Sequence, residues 1–140
     1  MADIFVLDCS VAAKWVLPEP DRAPALALLD QYASGKVQLI APDILLAEFA
    51  SLVSKHHRRK LISAEHANGA FALMTRCVPR LLETRPRLPH ALNLSLKYQL
   101  SLWDCVYLAV SREYDCPVLT ADLRLFRAGK RGDLSVRTLQ

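Results

Sequence analysis

The sequence contains no long apolar run, no paired cysteine motif and no internal repeat. No stretch reaches the roughly 18 consecutive apolar residues of a membrane-spanning helix, and no charged-then-apolar leader opens the chain. The four cysteines show neither C-x-x-C spacing nor a zinc pattern with the histidines, so we expect buried, unpaired thiols. Together these absences predict a soluble cytoplasmic protein that does not associate with membranes.

Length, composition and charge further restrict the class of protein to which the chain can belong. The 140 residues fit one compact domain spanning residues 1–140, since no low-complexity tract or long linker divides them. With 52% apolar and 23% charged residues, the composition is globular rather than disordered. The net charge of +4 favours anionic partners such as nucleic acid, although many small basic proteins bind none.

Apolar runs alternate with helical patterns along the whole chain. Strands are predicted at residues 4–7, 37–40, 77–84 and 118–120, with a final edge strand at 134–139. Helices are predicted at residues 11–16, 23–32, 43–60, 63–76, 90–98, 100–110 and 123–127. This alternation predicts an α/β fold, a three-layer α/β/α sandwich with a central parallel sheet.

The first strand organises the expected site. Four consecutive apolar residues at 4–7 indicate a strand buried on both faces, and Asp8 follows it directly, with Ser10 as the expected N-cap of the next helix. Open α/β sheets bind their ligands in the crevice beyond the carboxyl ends of the strands. We therefore expect Asp8 to lie where the chemistry takes place.

Three other acids share this kind of position. Asp122 follows the fourth predicted strand, whereas Glu48 and Asp104 lie in helices that are otherwise apolar around them. Each acid also has a purely structural explanation: Ser101 and Asp104 fit a capping box, Asp122 fits a helix cap, Asp8 fits a helix N-terminus, and Glu48 fits the edge of an apolar stripe. Taken together, these acids predict a carboxylate cluster that binds a hard divalent cation such as Mg²⁺ or Mn²⁺.

At these residues the sequence resembles the PIN-domain nucleases, and most closely the VapC toxins of bacterial toxin–antitoxin pairs. The resemblance is carried by V-L-D-C-S-V-A-A-K-W at residues 6–15, Glu48 in its helix, W-D-C-V-Y-L-A at 103–109 and L-T-A-D at 119–122. It covers essentially the whole chain, in length as well as in the order of the motifs.

The resemblance implies a metal-dependent endoribonuclease that uses Mg²⁺ or Mn²⁺. It carries over the four acids as catalytic residues, with Ser10 and Thr120 as polar residues that support the site. Of the acids, Asp8, Asp104 and Asp122 would hold the metal. It also implies an RNA substrate, a homodimer and a cognate antitoxin that covers the groove. The sequence departs from the family pattern mildly, for example at Trp103, which stands where a smaller aromatic or polar residue is common.

Two rivals come from other functional classes. A phosphoacceptor signalling domain would need an acidic pair after the first strand, where Asp8 stands alone. It would also need a lysine on a late strand, and residues 118–120 contain no lysine. A catalytically idle PIN-like module that binds its partner through the groove is the stronger rival. The presence of all four acids favours the nuclease.

Overall fold

A computed structural model describes residues 2–139 and shows a five-stranded parallel sheet with the strand order β3-β2-β1-β4-β5. The strands are β1 (Asp3–Leu7), β2 (Val37–Pro42), β3 (Arg80–Leu82), β4 (Val118–Leu119) and β5 (Val136–Arg137). The first strand lies at the centre, as its apolar run predicts, and pairs with β2 on one side and β4 on the other.

Seven α-helices among the described residues cover the two faces of the sheet. They are α1 (Cys9–Val16), α2 (Arg22–Ala33), α3 (Ile44–Arg58), α4 (Ala64–Cys77), α5 (Leu88–Tyr98), α6 (Leu102–Tyr114) and α7 (Leu123–Arg131). The buried side chains of α1 to α4 belong to one apolar cluster, and those of α5 to α7 belong to another. The predicted α/β/α sandwich is confirmed.

Successive side chains of the central strands point alternately into the α1–α4 layer and the α5–α7 layer. Val6 packs with the α5–α7 layer, whereas its neighbour Leu7 packs with the α1–α4 layer. In β4, Val118 and Leu119 divide in the same way. Successive side chains of a strand point to opposite faces, so a strand covered on both sides must be apolar at every position.

Several predicted boundaries are wrong. The third strand covers Arg80–Leu82 instead of 77–84, because α4 continues to Cys77 and Val78 is its C-cap. The last helix continues through Gly129 to Arg131 and does not stop at residue 127 before this glycine. Ser10 lies inside α1 and does not cap it, since the cap position belongs to Asp8. Strand β3 is at the sheet edge, as a strand with a nearby proline predicts.

The cysteines match the expectation of free thiols. All four are unpaired, and Cys9, Cys105 and Cys116 are buried. Within the described part of the chain, no helix has both the length and the apolar character needed to cross a membrane.

Candidate active site

Asp8 lies at the carboxyl end of the central strand with only 8% of its surface exposed. Its Oδ2 atom accepts two hydrogen bonds, from Ser10 Oγ at 2.5 Å and from Thr120 Oγ1 at 2.7 Å. Burial raises the pKa of the Asp8 carboxyl, and these two hydrogen bonds oppose the rise because they favour the charged form. The side chain is therefore held in place as a hydrogen-bond acceptor.

The two hydroxyl groups join the ends of neighbouring strands. Ser10 Oγ accepts a hydrogen bond from the backbone N–H of Ala121 at 2.9 Å, and Thr120 Oγ1 accepts one from that of Asp122 at 3.0 Å. Because β1 and β4 are parallel neighbours, their carboxyl ends meet at one edge of the sheet. Ser10 and Thr120 thus position both Asp8 and the backbone that carries Asp122.

Glu48 approaches the same edge from α3. The buried hydroxyl of Tyr107 on α6 donates a hydrogen bond to Glu48 Oε1 at 2.6 Å. The pKa of Glu48 is raised to about 7, mainly by burial and also by the negative charges of Asp8 and Asp104, and the hydrogen bond from Tyr107 opposes this rise. Because the charges of Asp8 and Asp104 contribute to this pKa, Glu48 lies near both of these acids.

Asp104 lies in the first turn of α6 and Asp122 is the N-cap of α7, as their structural explanations predict. Ser101 Oγ accepts a hydrogen bond from the backbone N–H of Asp104 at 3.2 Å. Asp122 Oδ1 caps α7 by accepting hydrogen bonds from the backbone of Arg124 at 2.9 Å and of Leu125 at 3.4 Å. The capping hydrogen bonds involve the backbone N–H of Asp104 and Oδ1 of Asp122. Both carboxylate oxygens of Asp104 and the Oδ2 atom of Asp122 therefore take no part in helix capping.

Those remaining oxygens face one cation, Arg124. Its Nη2 atom lies 3.4 Å from Asp122 Oδ2 and 3.7 Å from Asp104 Oδ2. Burial raises the pKa of Asp104 and the charge of Asp122 adds to the rise, whereas the Arg124 guanidinium lowers it. The two carboxylates therefore lie close enough to share a single positive charge.

Sequence and structure comparisons identify the family of this chain. The profile of the PIN domain matches residues 5–131. The chain belongs to the PIN domain family. No curated protein is significantly similar to it in sequence.

Solved structures share this PIN fold at low sequence identity. The chain is similar to PAE2754 from Pyrobaculum aerophilum, with 16% identity, a TM-score of 0.73, and coverage of 99% of this chain and 91% of that chain. It is also similar to a toxin-antitoxin complex from Klebsiella pneumoniae, with 18% identity, a TM-score of 0.65, and coverage of 97% and 98%. A third is VapBC2 from Rickettsia felis bound to a DNA fragment from their promoter, with 13% identity, a TM-score of 0.66, and coverage of 96% and 98%.

The acids of this PIN domain are chemically suited to a hard cation, although they are not arranged tightly around one. Among residues 2–139, no three carboxylate, imidazole or thiol side chains lie close enough together, as placed, to hold a metal ion. The predicted site residues nevertheless adjoin one another, since the charges of Asp104 and Asp122 raise the pKa of Asp8. Oxygen ligands and unbalanced negative charge are what Mg²⁺ and Mn²⁺ require, and Arg124 already lies between two of the acids.

Sequence reasoning missed two residues of this PIN-domain site. Tyr107 lies three residues after Asp104, so both belong to one side of α6, and this helical spacing would have pointed to it. Arg124 follows Asp122 by two residues, beyond the cap, and no local pattern indicates its contact with Asp104. Only the tertiary structure, which places the start of α7 near the start of α6, brings these two side chains together.

Proposed function

We propose that this PIN domain is a divalent-cation-dependent endoribonuclease and the toxin of a toxin–antitoxin pair. The observation that carries the proposal is the convergence of Asp8, Glu48, Asp104 and Asp122 at the carboxyl ends of β1 and β4. We infer that Asp8, Asp104 and Asp122 hold Mg²⁺ or Mn²⁺ and that Glu48 completes their surroundings. When bound, such an ion would lower the pKa of water so that it can lose a proton and act as a nucleophile at neutral pH, and it would offset the negative charge of the phosphate.

The protein's own contribution is to fix these acids before any cation arrives. Ser10 and Thr120 hold one oxygen of Asp8 and leave its other oxygen for binding. Tyr107 fixes Glu48 through Oε1 in the same way, and the capping contact of Asp122 leaves Oδ2 available. Side chains held in this way need less ordering when a cation binds, which supports catalysis by positioning.

RNA is the proposed substrate because the chain is basic overall although its proposed site is acidic. The chain carries a net charge of +4 despite its acidic site, so its remaining surface is more basic than the total indicates. Lysine and arginine side chains that contact phosphates supply most of the sequence-independent affinity for nucleic acid. A negatively charged strand would therefore be attracted to the protein while the acids bind the cation.

The toxin assignment and the partner proteins are inferred from the similar structures. Two of them are toxin–antitoxin assemblies, and both cover nearly all of this chain. We propose that a cognate antitoxin binds this chain over the acids and that the chain forms a homodimer. Co-expression with a small DNA-binding protein encoded beside it, followed by co-purification, tests the first of these partners.

Cleavage of RNA tests the enzymatic proposal. Purified protein is incubated with structured and unstructured RNA in Mn²⁺ or in EDTA, beside Asp104→Asn and the control Asp30→Asn. The control makes the same chemical change at an exposed position on α2. We expect cutting by the wild type and Asp30→Asn in Mn²⁺ only, and none by Asp104→Asn. Equal cutting by Asp104→Asn would refute the role of this acid.

A catalytically idle binding module is the second candidate. The spacing of the acids favours it, because no three of the described donor groups lie within ligand distance of one another. Titration with Mn²⁺ separates the two proposals. A nuclease site binds Mn²⁺ and loses that binding in Asp8→Asn, whereas an idle module shows no difference between the two proteins.

A further inference from the structure

A cleft with two arginines opens beside Asp104. It lies between the segment that links α5 to α6 and the flank of α7, and has a volume of about 200 Å³. Gln99 and Ser101 line one wall, and Arg124 and Arg131 line the other, with Asp104 at the edge. We call this space the arginine cleft. Arg124 also lies between Asp104 and Asp122, whereas Arg131 forms no ion pair with any of the four acids among the described residues.

The geometry of α7 explains why both arginines face the cleft. Arg124 and Arg131 are seven residues apart, which is nearly two helical turns, so their side chains lie on one face, about 10 Å apart along the axis. Ala128 lies between them on that face and also lines the cleft. Its small side chain leaves the space between the two guanidinium groups open.

The charges of the cleft are available to a ligand. Arg124 is 77% exposed, and its contacts with Asp104 and Asp122 are 3.7 and 3.4 Å long, so water screens them and they are weak. Arg131 is exposed, and no carboxylate within residues 2–139 forms an ion pair with it. A cleft with two available guanidinium groups and only one acid, at its edge, favours an anion.

We propose that the arginine cleft binds a backbone phosphate of single-stranded RNA next to the phosphodiester that is cut. This inference rests on the proposed nuclease function and specifies how its substrate is held. Guanidinium groups bind phosphate oxygens in a bidentate manner, which gives direction as well as affinity. Because the cleft begins at Asp104, a strand with one phosphate between Arg124 and Arg131 has a neighbouring phosphate over the acids.

Arg131 separates this subsite from the carboxylate site, since it contacts none of the four acids. Binding of a fluorescent single-stranded RNA is measured by anisotropy in EDTA over a series of salt concentrations. The proteins are the wild type, Arg131→Gln, Arg124→Gln/Arg131→Gln and the control Arg76→Gln. The control removes the same charge at an exposed position in α4, in the opposite layer. Melting temperatures verify that each variant is folded.

The expected result is a loss of affinity together with a smaller salt dependence. Each phosphate contact contributes about 0.7 to the slope of log affinity against log salt for a single strand. We expect Arg131→Gln to bind RNA severalfold more weakly with a slope reduced by about 0.7, and the double variant to lose about twice as much. Arg76→Gln keeps the wild-type slope.

Two results would overturn the subsite. One is a wild-type slope for Arg131→Gln, and the other is an equal decrease in slope for Arg131→Gln and Arg76→Gln, which would indicate diffuse attraction to a basic surface. Neither of these binding results bears on the nuclease proposal, which the cleavage assay tests separately. Conversely, RNA that is bound through Arg131 but never cut in Mn²⁺ would refute the nuclease and retain the arginine cleft as an RNA-binding site.

Discussion

Single hydroxyl groups control the carboxylates at the residue scale. The Tyr107 hydroxyl is the side-chain donor to Glu48, and Thr120, which is fully buried, supplies one of the two donors to Asp8. Hydrogen bonds to ionised groups are stronger than those between neutral partners, so these contacts gain strength once the acids lose their protons. Their removal should therefore have consequences that depend on pH.

Tyr107→Phe removes the hydroxyl and keeps the ring. We expect the free energy of unfolding to fall by about 1 kcal/mol at pH 8, where Glu48 is ionised, and by less at pH 5.5, where it is protonated. Urea denaturation at the two pH values measures the difference. An equal loss at both would mean that the hydroxyl does not interact with the charge of Glu48.

Thr120→Val replaces a buried hydroxyl with a methyl group of similar size. Because that hydroxyl favours the charged form of Asp8, we expect the pKa of Asp8 to rise further and Mn²⁺ to bind more weakly at neutral pH. Mn²⁺ affinity, measured by titration calorimetry at pH 6 and pH 8, tests this. Thr75→Val makes the same change at an exposed position on α4 and should leave the affinity unchanged.

Close packing fixes one junction at the scale of elements. A Cβ atom on Gly129 of α7 would lie 2.7 Å from Cγ2 of Val136 in β5, nearer than such atoms approach. The lack of a side chain at Gly129 therefore allows α7 to lie close to β5. This glycine serves packing within the helix and does not end it. Gly69, on α4, has no atom within 4 Å of the corresponding position.

The two glycines should respond to alanine in opposite ways. We expect Gly129→Ala to lower the free energy of unfolding by about 1–3 kcal/mol through overpacking. Gly69→Ala should raise it by up to about 1 kcal/mol, because alanine favours helix and meets no obstacle. Urea denaturation of both variants provides the comparison. A stabilised Gly129→Ala would show that β5 moves aside at little cost.

The sequence predicts these elements unequally well. Continuous apolar runs such as residues 4–7 indicate a strand buried on both faces, and the order of strands and helices then gives the sandwich. The end of α7 was missed because glycine ends many helices, and only the neighbouring Val136 reveals its other purpose. Likewise, motif positions locate the four acids, but the Arg124 contact with Asp104 depends on how two helices pack.

At the scale of the whole molecule, the raised pKa values of the buried acids make the stability of the fold depend on pH. The pKa of Glu48 is about 7 in the folded protein, above its ordinary value of 4.5, and burial also raises the pKa values of Asp8 and Asp104. The unfolded chain therefore releases these protons at lower pH than the folded protein does. Stability from Glu48 is fully present below pH 4.5 and is lost as the pH rises through about 7.

Thermal unfolding in EDTA should reflect this linkage. We expect the contribution of Glu48 to lower the melting temperature between pH 5 and pH 8, and Glu48→Gln to show a smaller decrease over that range. Divalent cations bind the ionised carboxylates, so Mn²⁺ should raise the melting temperature more at pH 8 than at pH 5. A Mn²⁺ effect that is the same at both values would mean that the ion binds elsewhere.

The most direct test of the central claim is to locate the cation itself. Crystals grown with Mn²⁺ are measured for anomalous scattering, beside crystals of Asp8→Asn grown in the same way. We predict an anomalous peak among Asp8, Asp104 and Asp122 in the wild type, with Arg124 displaced from the acids, and no peak in the variant. A wild-type crystal with Arg124 still between Asp104 and Asp122, and with no peak beside them, would contradict the account.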